Sequence, residues 1–280
     1  REDLSRWLTE REAHWNALED EDYAPLPFGA ASRDPFDAAA LNRELVTHGL
    51  VYGAGVGRFH RPHFFLAQLA ADQSRDGSRV LVTECEYARD LAAAPAALQD
   101  GTIYLRRDAL RRWLWEKIEL WQSRKGDGAL ARALEAWALD AGDAASFERV
   151  VEAQTETMIL HELGEARAES LLGPSWEDML ERLDDRRAEL LARAVRDNLA
   201  DCLSTLPTLL ERAAPASIHF YFSQFDGLRR ELFPALGAAY RDWCGHGAAQ
   251  SLLRTTEAGA AHWERVAREL LATSPRVDSN

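Results

Sequence analysis

Residues 150–170 constrain the fold of this chain more than any other stretch, because their pattern predicts one long helix with charged groups along one side. At about 100° per residue, His161 and Glu165 lie on nearly the same line of that helix, one turn apart. Glu162 lies roughly 100° further round, beside this line. Leu163 and its apolar neighbours occupy a different face. The helix can therefore pack into a core while it presents a histidine and two carboxylates together.

The composition favours a mainly helical protein that buries a sizeable core. The chain has 280 residues, of which 46% are hydrophobic and 28% charged, and its most abundant types include strong helix formers. Residues 79–83 and 101–105 have the β-branched character of short strands, whereas residues 64–67 and 84–91 are predicted to be helical. We therefore expect an α+β fold that is predominantly α-helical and contains a small two- or three-stranded sheet.

We expect a single globular domain over residues 1–272. Within it, residues 20–34 combine proline, glycine and acidic residues, which predicts a surface arm without regular structure. Residues 51–57 are rich in glycine and predict a structural turn; a phosphate-binding loop is the alternative, but no alternating series of strands and helices follows. Residues 273–280 are expected to form a flexible tail.

Charge and cysteine content argue against several classes of function. The formal net charge of −13 argues against a nucleic-acid partner, since phosphate binding needs clustered basic charge. No apolar run approaches the ~20 residues that cross a bilayer, and the first residues lack the character of a signal peptide, so we expect no membrane partner. Three widely spaced cysteines without a Cys-x-x-Cys pair indicate neither a disulfide framework nor a zinc ribbon. These features predict a protein of the reducing cytoplasm.

The polar side of the long helix is a candidate metal site. The four-residue spacing aims the side chains of His161 and Glu165 at one point, and the Glu162 carboxylate stands beside that point. Zinc suits such a set best, and iron or manganese also suit it because Glu165 is a harder ligand than a second histidine. On a later helix, Asp197 and Asp201 lie opposite the apolar face, which favours a solvated position over a role as ligands.

The order of a strand at residues 103–105 followed by His161-Glu162-Leu163-Gly164-Glu165 resembles the zincin metallopeptidases. Their His-Glu-x-x-His motif supplies two ligands and a general base, and Glu165 stands here in place of the second histidine. The resemblance covers about residues 101–170. It implies that His161 and Glu165 are ligands and that Glu162 is the base that activates water. It also implies a third ligand further along the chain, for which the candidates are His219, Asp201 and Glu189.

The chain as a whole also resembles an uncharacterised bacterial family, a domain of unknown function. The stretches that carry this resemblance are Gly-Leu-Val-Tyr-Gly-Ala-Gly at residues 49–55 and His-Glu-Leu-Gly-Glu at residues 161–165. This resemblance implies no known activity.

Two functions from different classes fit these observations. The first is a divalent-metal-dependent hydrolase with a degenerate zincin-like site, in which His161, Glu165 and His219 bind the metal and Glu162 is catalytic. Its substrate is a small molecule or a peptide, and the sequence sets neither the substrate nor the oligomeric state. The alternative is a non-catalytic structural protein whose helices present an acidic surface to a protein partner, with surface ion pairs of little energy. The two functions are distinguished by whether the side chains of His161, Glu165 and a third donor lie within metal-ligand distance of one point.

Overall fold

The structure is a computed structural model that describes most of the chain: residues 2–18, 22–29, 31–56, 62–90, 94–124, 126–140, 142–183, 185–247 and 249–273. Of the predicted flexible tail, only Thr273 is described, as the last residue of a helix. Residues 274–280 therefore lie outside the described part of the chain.

Helices make up 66% of the described residues, which confirms a predominantly α-helical α+β fold. They are α1 (Glu2–Leu18), α2 (Ala38–Leu45), α3 (Arg107–Arg124), α4 (Ala129–Ala136), α5 (Ala144–Leu172), α6 (Ser175–Glu181), α7 (Arg186–Ala200), α8 (Leu206–Glu211), α9 (Pro215–Gln224), α10 (Gly227–Leu232), α11 (Pro234–His246) and α12 (Gln250–Thr273). A 3-10 turn (Val46–His48) follows α2, and a π-helical turn (Asp201–Thr205) joins α7 to α8. Of the helices in the described ranges, none is long and apolar enough to cross a membrane.

The main sheet is larger than the predicted two or three strands. It consists of β3 (Leu50–Val56), β4 (Pro62–Arg75), β5 (Ser78–Arg89), β6 (Ala96–Gln99) and β7 (Thr102–Arg106). The strand order is β3-β4-β5-β7-β6, and all pairs are antiparallel except the parallel pair of β5 and β7. Both predicted strands are present, as the start of β5 and as β7.

The prediction of a small sheet was wrong because a long hairpin was not recognised. Residues 64–67 lie in β4, and residues 84–89 lie in β5, although both segments were predicted to be helical. Asp76 and Gly77 join the two strands with φ values of +50° and +85°. A two-residue Asp-Gly connection with positive φ is the typical turn of a hairpin. Much of β4 is exposed beyond the core, so its side chains lack the clear alternation that identifies a strand.

Of two further loop predictions, the one for the arm was partly right and the one for the glycine-rich turn was wrong. The predicted arm, residues 20–34, contains a small separate sheet formed by β1 (Leu26–Phe28) and β2 (Ala31–Arg33). These strands cover less than half of the arm, and its described residues are mostly exposed. The glycine-rich residues 51–56, predicted to form a turn, lie instead in β3; Gly57 is outside the described residues.

The helix α5 connects the sheet with the helical part of the molecule. Ile159 and Leu163 pack against Ile103 and Leu105 of β7, in a cluster that also includes Val80 and Val82 of β5. Leu160, on another side of α5, belongs to the largest core cluster, which contains residues of α6, α7, α9, α11 and α12. The sheet therefore covers one side of α5 and the helices cover the other. The single globular domain over residues 1–272 stays a prediction.

Candidate functional site

The helix α5 holds the His-Glu-Leu-Gly-Glu stretch, and both of its ends are defined by capping residues. At the first turn the Asp143 carboxylate accepts hydrogen bonds from the backbone N–H groups of Ala145 and Ser146, at 2.9 and 3.0 Å. At the other end Gly173, with φ +74°, stops the helix. The His-Glu-Leu-Gly-Glu stretch lies well inside these 29 residues, where the backbone is regular and the side-chain spacing assumed from the sequence applies.

Gly164 allows α7 to approach α5 very closely. A Cβ atom added at Gly164 would lie 2.2 Å from the carbonyl oxygen of Ala200, the last residue of α7. Only glycine leaves room for that carbonyl group. Directly after Ala200 the chain enters the π-helical turn that begins at Asp201. Such turns are rare and often occur at functional sites, where the extra residue redirects side chains. Here the turn brings a carboxylate to the histidine of α5.

Asp201 holds His161 in a fixed orientation. The Nδ1 atom of His161 lies 2.8 Å from Oδ1 of Asp201. Asp201 is 1% exposed, and its carboxylate also accepts hydrogen bonds from Thr205 at 3.0 Å, from Tyr221 at 2.9 Å and from Arg229. Burial alone would raise the pKa of Asp201, but the charges of Arg229 and His161 outweigh it and lower this pKa to about 2. The aspartate is therefore a permanent anion that orients the ring.

The other ring nitrogen of His161 faces Glu165. Nε2 lies 3.5 Å from Oε1 of Glu165, and the same oxygen lies 3.1 Å from Nη2 of Arg196. Burial would raise the pKa of Glu165, yet the charge of Arg196 and the contact with His161 lower it to about 2. Burial would lower the pKa of His161, but the two flanking carboxylates raise it well above its usual value. Without a bound ion, the histidine is thus a cation between Asp201 and Glu165.

Asp197 completes a group of three potential metal ligands. One ligand atom each of His161, Glu165 and Asp197 lie within 4.8 Å of one another. Asp197 stands on α7 one turn before Asp201. Burial, followed by the charge of Glu165, raises the pKa of Asp197. A cation placed between these groups would relieve the repulsion between the two carboxylates.

Glu162 is a buried carboxyl beside this group. Its side chain is 7% exposed, and among the described residues no hydrogen-bond partner contacts its carboxyl group. Burial and the neighbouring charge of Glu165 raise the pKa of Glu162 to about 7. A carboxyl with a pKa close to neutrality can both accept and release a proton, which is the property of a general acid or base.

A cavity of about 240 Å³ adjoins Glu162 and His161. Its walls include Trp113, Met158 and Phe220, which give it a largely apolar lining. Gln154 also lines the cavity; it is 2% exposed, and its Nε2 atom has no hydrogen-bond partner among the described residues. A buried amide N–H without an acceptor is costly, so this donor is available to a molecule inside the cavity.

The structure brings together some of the predicted site residues and not others. His161, Glu162 and Glu165 lie together as the sequence predicts. His219 does not join them: it lies on α9, where its Nδ1 atom is 2.9 Å from the hydroxyl group of Tyr240. Glu189 instead accepts a hydrogen bond from Arg193 at 2.8 Å.

The sequence predicted that Asp197 and Asp201 are solvated, and the structure places them differently. Asp201 is buried and not solvated, and Asp197 is half-buried. Both point to α5 because α7 packs against it at Gly164. The signal that identifies them is the four-residue spacing of Asp197 and Asp201, which matches the spacing of His161 and Glu165.

Comparison with protein families shows to which family the chain belongs. The N-terminal domain of a family of unknown function, DUF6866, matches residues 1–106, and the C-terminal domain of the same family matches residues 111–279. The chain belongs to this family. The resemblance to an uncharacterised family is thereby confirmed, whereas the resemblance to zincins has no support from these matches. Searches of curated proteins and of solved structures found no match.

The candidate metal ligands lie in one of the two parts of the chain that match this family. His161, Glu165 and Asp197 all belong to the part that matches the C-terminal domain. The adjoining cavity is also lined by Pro95 and Ala96, which belong to the part that matches the N-terminal domain. Both parts of this DUF6866 member therefore contribute to the surroundings of Glu162.

Proposed function

We propose that this protein binds a divalent metal ion through His161, Glu165 and Asp197, and that it is a metal-dependent hydrolase. The observation that carries the proposal is the position of the His161 ring. Nδ1 of the ring lies 2.8 Å from Oδ1 of Asp201, while Nε2 lies 3.5 Å from Oε1 of Glu165. Histidines that bind metals commonly donate their second ring N–H to a carboxylate, which fixes the ring and makes the ligating nitrogen more basic.

The distances are close to those that a small cation needs. Ligand atoms about 2.0–2.1 Å from a tetrahedral zinc ion are about 3.3 Å apart. The 3.5 Å between Nε2 of His161 and Oε1 of Glu165 is near this value. The ligand atoms of the group are within 4.8 Å of one another, so modest side-chain rotation brings Asp197 into range. Zinc suits the donor set best, and iron or manganese also suit it because two of the three donors are carboxylates.

Arg196 is compatible with such an ion. Its Nη2 atom lies 3.1 Å from Oε1 of Glu165, and this oxygen can still face a metal ion because a carboxylate oxygen has two lone pairs. Arg196 also offsets part of the negative charge that Glu165 and Asp197 bring to the site. The arginine would then hold the ligand in place from the side opposite the ion.

Glu162 and the cavity support hydrolysis as the reaction. A bound divalent ion supplies Lewis-acid activation of water or of a carbonyl oxygen. Glu162, with a pKa of about 7, accepts the proton of the attacking water and delivers it to the leaving group. Trp113 and Phe220 offer apolar surface to a small molecule or a peptide side chain, and Gln154 offers one hydrogen bond.

The alternative is a non-catalytic protein, and one observation favours it. Arg196 pairs with Glu165 and Arg229 pairs with Asp201, and His161 lies between these two carboxylates. Such a network of partly buried ion pairs can hold α5 against α7 without any metal. In that case the acidic surface of the chain, with a net charge of −13, would serve an interaction with a protein partner.

Metal analysis separates the two functions. We would purify untagged protein without chelators, measure bound metals by elemental analysis, and titrate zinc into metal-depleted protein. We expect one ion per chain and a higher melting temperature with zinc. Less than about a tenth of an ion per chain, together with no effect of zinc on melting, would contradict the metal proposal and favour the structural alternative.

Variants assign the roles within the site. His161→Ala and Glu165→Gln should abolish stoichiometric zinc binding. Glu189→Gln is the matched control, because Glu189 is also paired with an arginine and its side chain is 16% exposed against 15% for Glu165. Glu162→Gln should retain zinc and lose hydrolysis of ester or peptide probes. Hydrolysis that survives in Glu162→Gln would refute the role of Glu162 as the base.

A further inference from the structure

A second cavity, of about 260 Å³, lies on the face of the main sheet opposite α5. In β7, Ile103 and Leu105 point to α5, so Tyr104 and Arg106 point to the other face. Tyr104 and Arg106 both line this cavity. It is therefore separated by the sheet from His161, and it plays no part in the proposed metal site.

The glycines of β3 create the space for this cavity. A Cβ atom at Gly53 would overlap the ring of Phe65, which packs across the strand pair. A Cβ atom at Gly55 would lie 3.4 Å from the side-chain oxygen of Gln99, another residue that lines the cavity. Residues 51–56 thus form neither a turn nor a phosphate-binding loop. They lie in a strand in which Gly53 and Gly55 leave the face that lines the cavity without side chains.

Arg106 lines the cavity with an unused hydrogen-bond donor. The residue is 5% exposed. Its Nε atom donates to Oε1 of Glu86 at 2.7 Å, and its guanidinium carbon lies 4.3 Å from the centre of the Phe65 ring. Its Nη2 atom is buried and has no hydrogen-bond partner among the described residues. An orphaned N–H of a buried cation is among the most costly polar groups in a protein.

Arg106 shares its carboxylate partner with two other arginines. Glu86, whose side chain is 1% exposed, lies within ion-pair distance of Arg106, Arg112 and Arg89. The three guanidinium groups share this carboxylate, and Arg112 also lies 3.8 Å from Asp108. Burial lowers the pKa of Arg106, while the charges of Glu86 and Asp90 raise it. An anion in the cavity would complete its coordination.

We propose that this cavity binds a small organic carboxylate, with its carboxylate on Nη2 of Arg106 and its apolar body against Phe65 and Ala97. A carboxylate matches the guanidinium geometry and carries a single charge. A phosphate dianion would need more donors than this largely apolar lining offers. The side-chain amide of Gln99 lies on the same wall and can contact a polar group at the other end of the ligand. The proposal is independent of the metal site.

Calorimetric titration of the full chain tests the proposal directly. The probes are butyrate and benzoate, with butyramide and benzamide as neutral analogues of the same shape and inorganic phosphate as the competing anion. We expect a carboxylate to bind with one site per chain and each amide to bind at least about tenfold more weakly. Arg106→Gln should weaken carboxylate binding at least about tenfold. Arg79→Gln is the control, because Arg79 pairs with the exposed Asp72.

Gly55→Val keeps the test decisive if Arg106→Gln does not fold. Valine is well tolerated in a strand, and its side chain would enter the cavity beside Gln99. It should abolish binding, while Gly55→Ala, which adds one methyl group at ordinary contact distance, should weaken binding less. The proposal is overturned by any of three results: no carboxylate binds at about 10 mM, amides or phosphate bind as well as carboxylates, or Gly55→Val leaves binding unchanged.

Discussion

Replacing Gly164 by alanine would place a methyl group against the backbone of α7. The added carbon would lie 2.2 Å from the Ala200 oxygen and 2.8 Å from its carbonyl carbon, whereas real Cβ atoms essentially never come within 3.0 Å of another heavy atom. Both obstacles are backbone atoms, so no side chain can rotate away. The helices α5 and α7 would have to separate by roughly 1 Å in a close-packed interior.

The energetic cost follows from two opposing effects. Inserting a methyl group into a well-packed core costs about 1–3 kcal/mol, and a rigid backbone obstacle places Gly164→Ala at the upper end. Alanine favours a helix over glycine by about 1 kcal/mol, which offsets part of this cost. We therefore expect the free energy of unfolding to fall by about 2 kcal/mol, measured by urea denaturation followed by circular dichroism.

Gly237→Ala is the matched control for this experiment. Gly237 lies inside α11, and a Cβ atom there would meet only the end of the Arg241 side chain at 3.7 Å. The same substitution should therefore stabilise the protein by up to about 1 kcal/mol. If Gly164→Ala were as stable as Gly237→Ala, the close approach of α5 and α7 would be disproved.

The same variant also tests the metal proposal. A separation of roughly 1 Å would stretch the 2.8 Å contact between His161 and Asp201 beyond hydrogen-bond length. Loss of a carboxylate partner behind a metal-binding histidine typically costs 10–100-fold in metal affinity. We expect a loss of about this size in zinc titrations of Gly164→Ala, and unchanged zinc affinity in Gly237→Ala.

Two further predictions concern the packing of α5. Leu163→Ala should lower the free energy of unfolding by about 2–5 kcal/mol, because Leu163 is 2% exposed and lies between α5 and the sheet. Leu171→Ala is the control on the same helix and should cost far less, because Leu171 is 38% exposed. Equal losses in urea denaturation would show that the buried and exposed faces of α5 are assigned wrongly. Glu156 accepts hydrogen bonds from Arg75 and Arg212, and these lower its pKa below the usual 4.5. Its contribution, about 1 kcal/mol, is present at neutral pH and is lost as the pH falls below the usual carboxyl pKa and through the lowered pKa of Glu156, so Glu156→Gln should show a weaker decline of stability in acid denaturation.

Local patterns in the sequence were sufficient for the central helix and for one strand. The central helix was predicted over residues 150–170 from the spacing of its charged and apolar residues, and α5 (Ala144–Leu172) contains this stretch. A strand at residues 101–105 was predicted from its β-branched residues, and β7 (Thr102–Arg106) is present there. These features depend on residues a few positions apart, so they can be read without knowledge of the rest of the fold.

The extent of the sheet could not be read in the same way. The strands β4 and β5 stabilise each other by antiparallel pairing, and much of their length is exposed. Segments of this kind owe their conformation to a partner strand more than to their own preferences. Residues 64–67 were therefore predicted to be helical from their apolar character, although they pair with β3 and β5.

The candidate site was likewise predictable from the sequence only where its residues lie on one helix. The sequence alone placed His161, Glu162 and Glu165 together, because helical periodicity sets the directions of side chains on one helix. It did not show that Asp197 and Asp201 face this group, since an aspartate opposite an apolar face has the same pattern whether water or another helix lies beyond it. The contact of Gly164 with Ala200 and the π-helical turn after it decided that question. Such a contact joins residues far apart in the chain, and only the packing of α7 on α5 determines it.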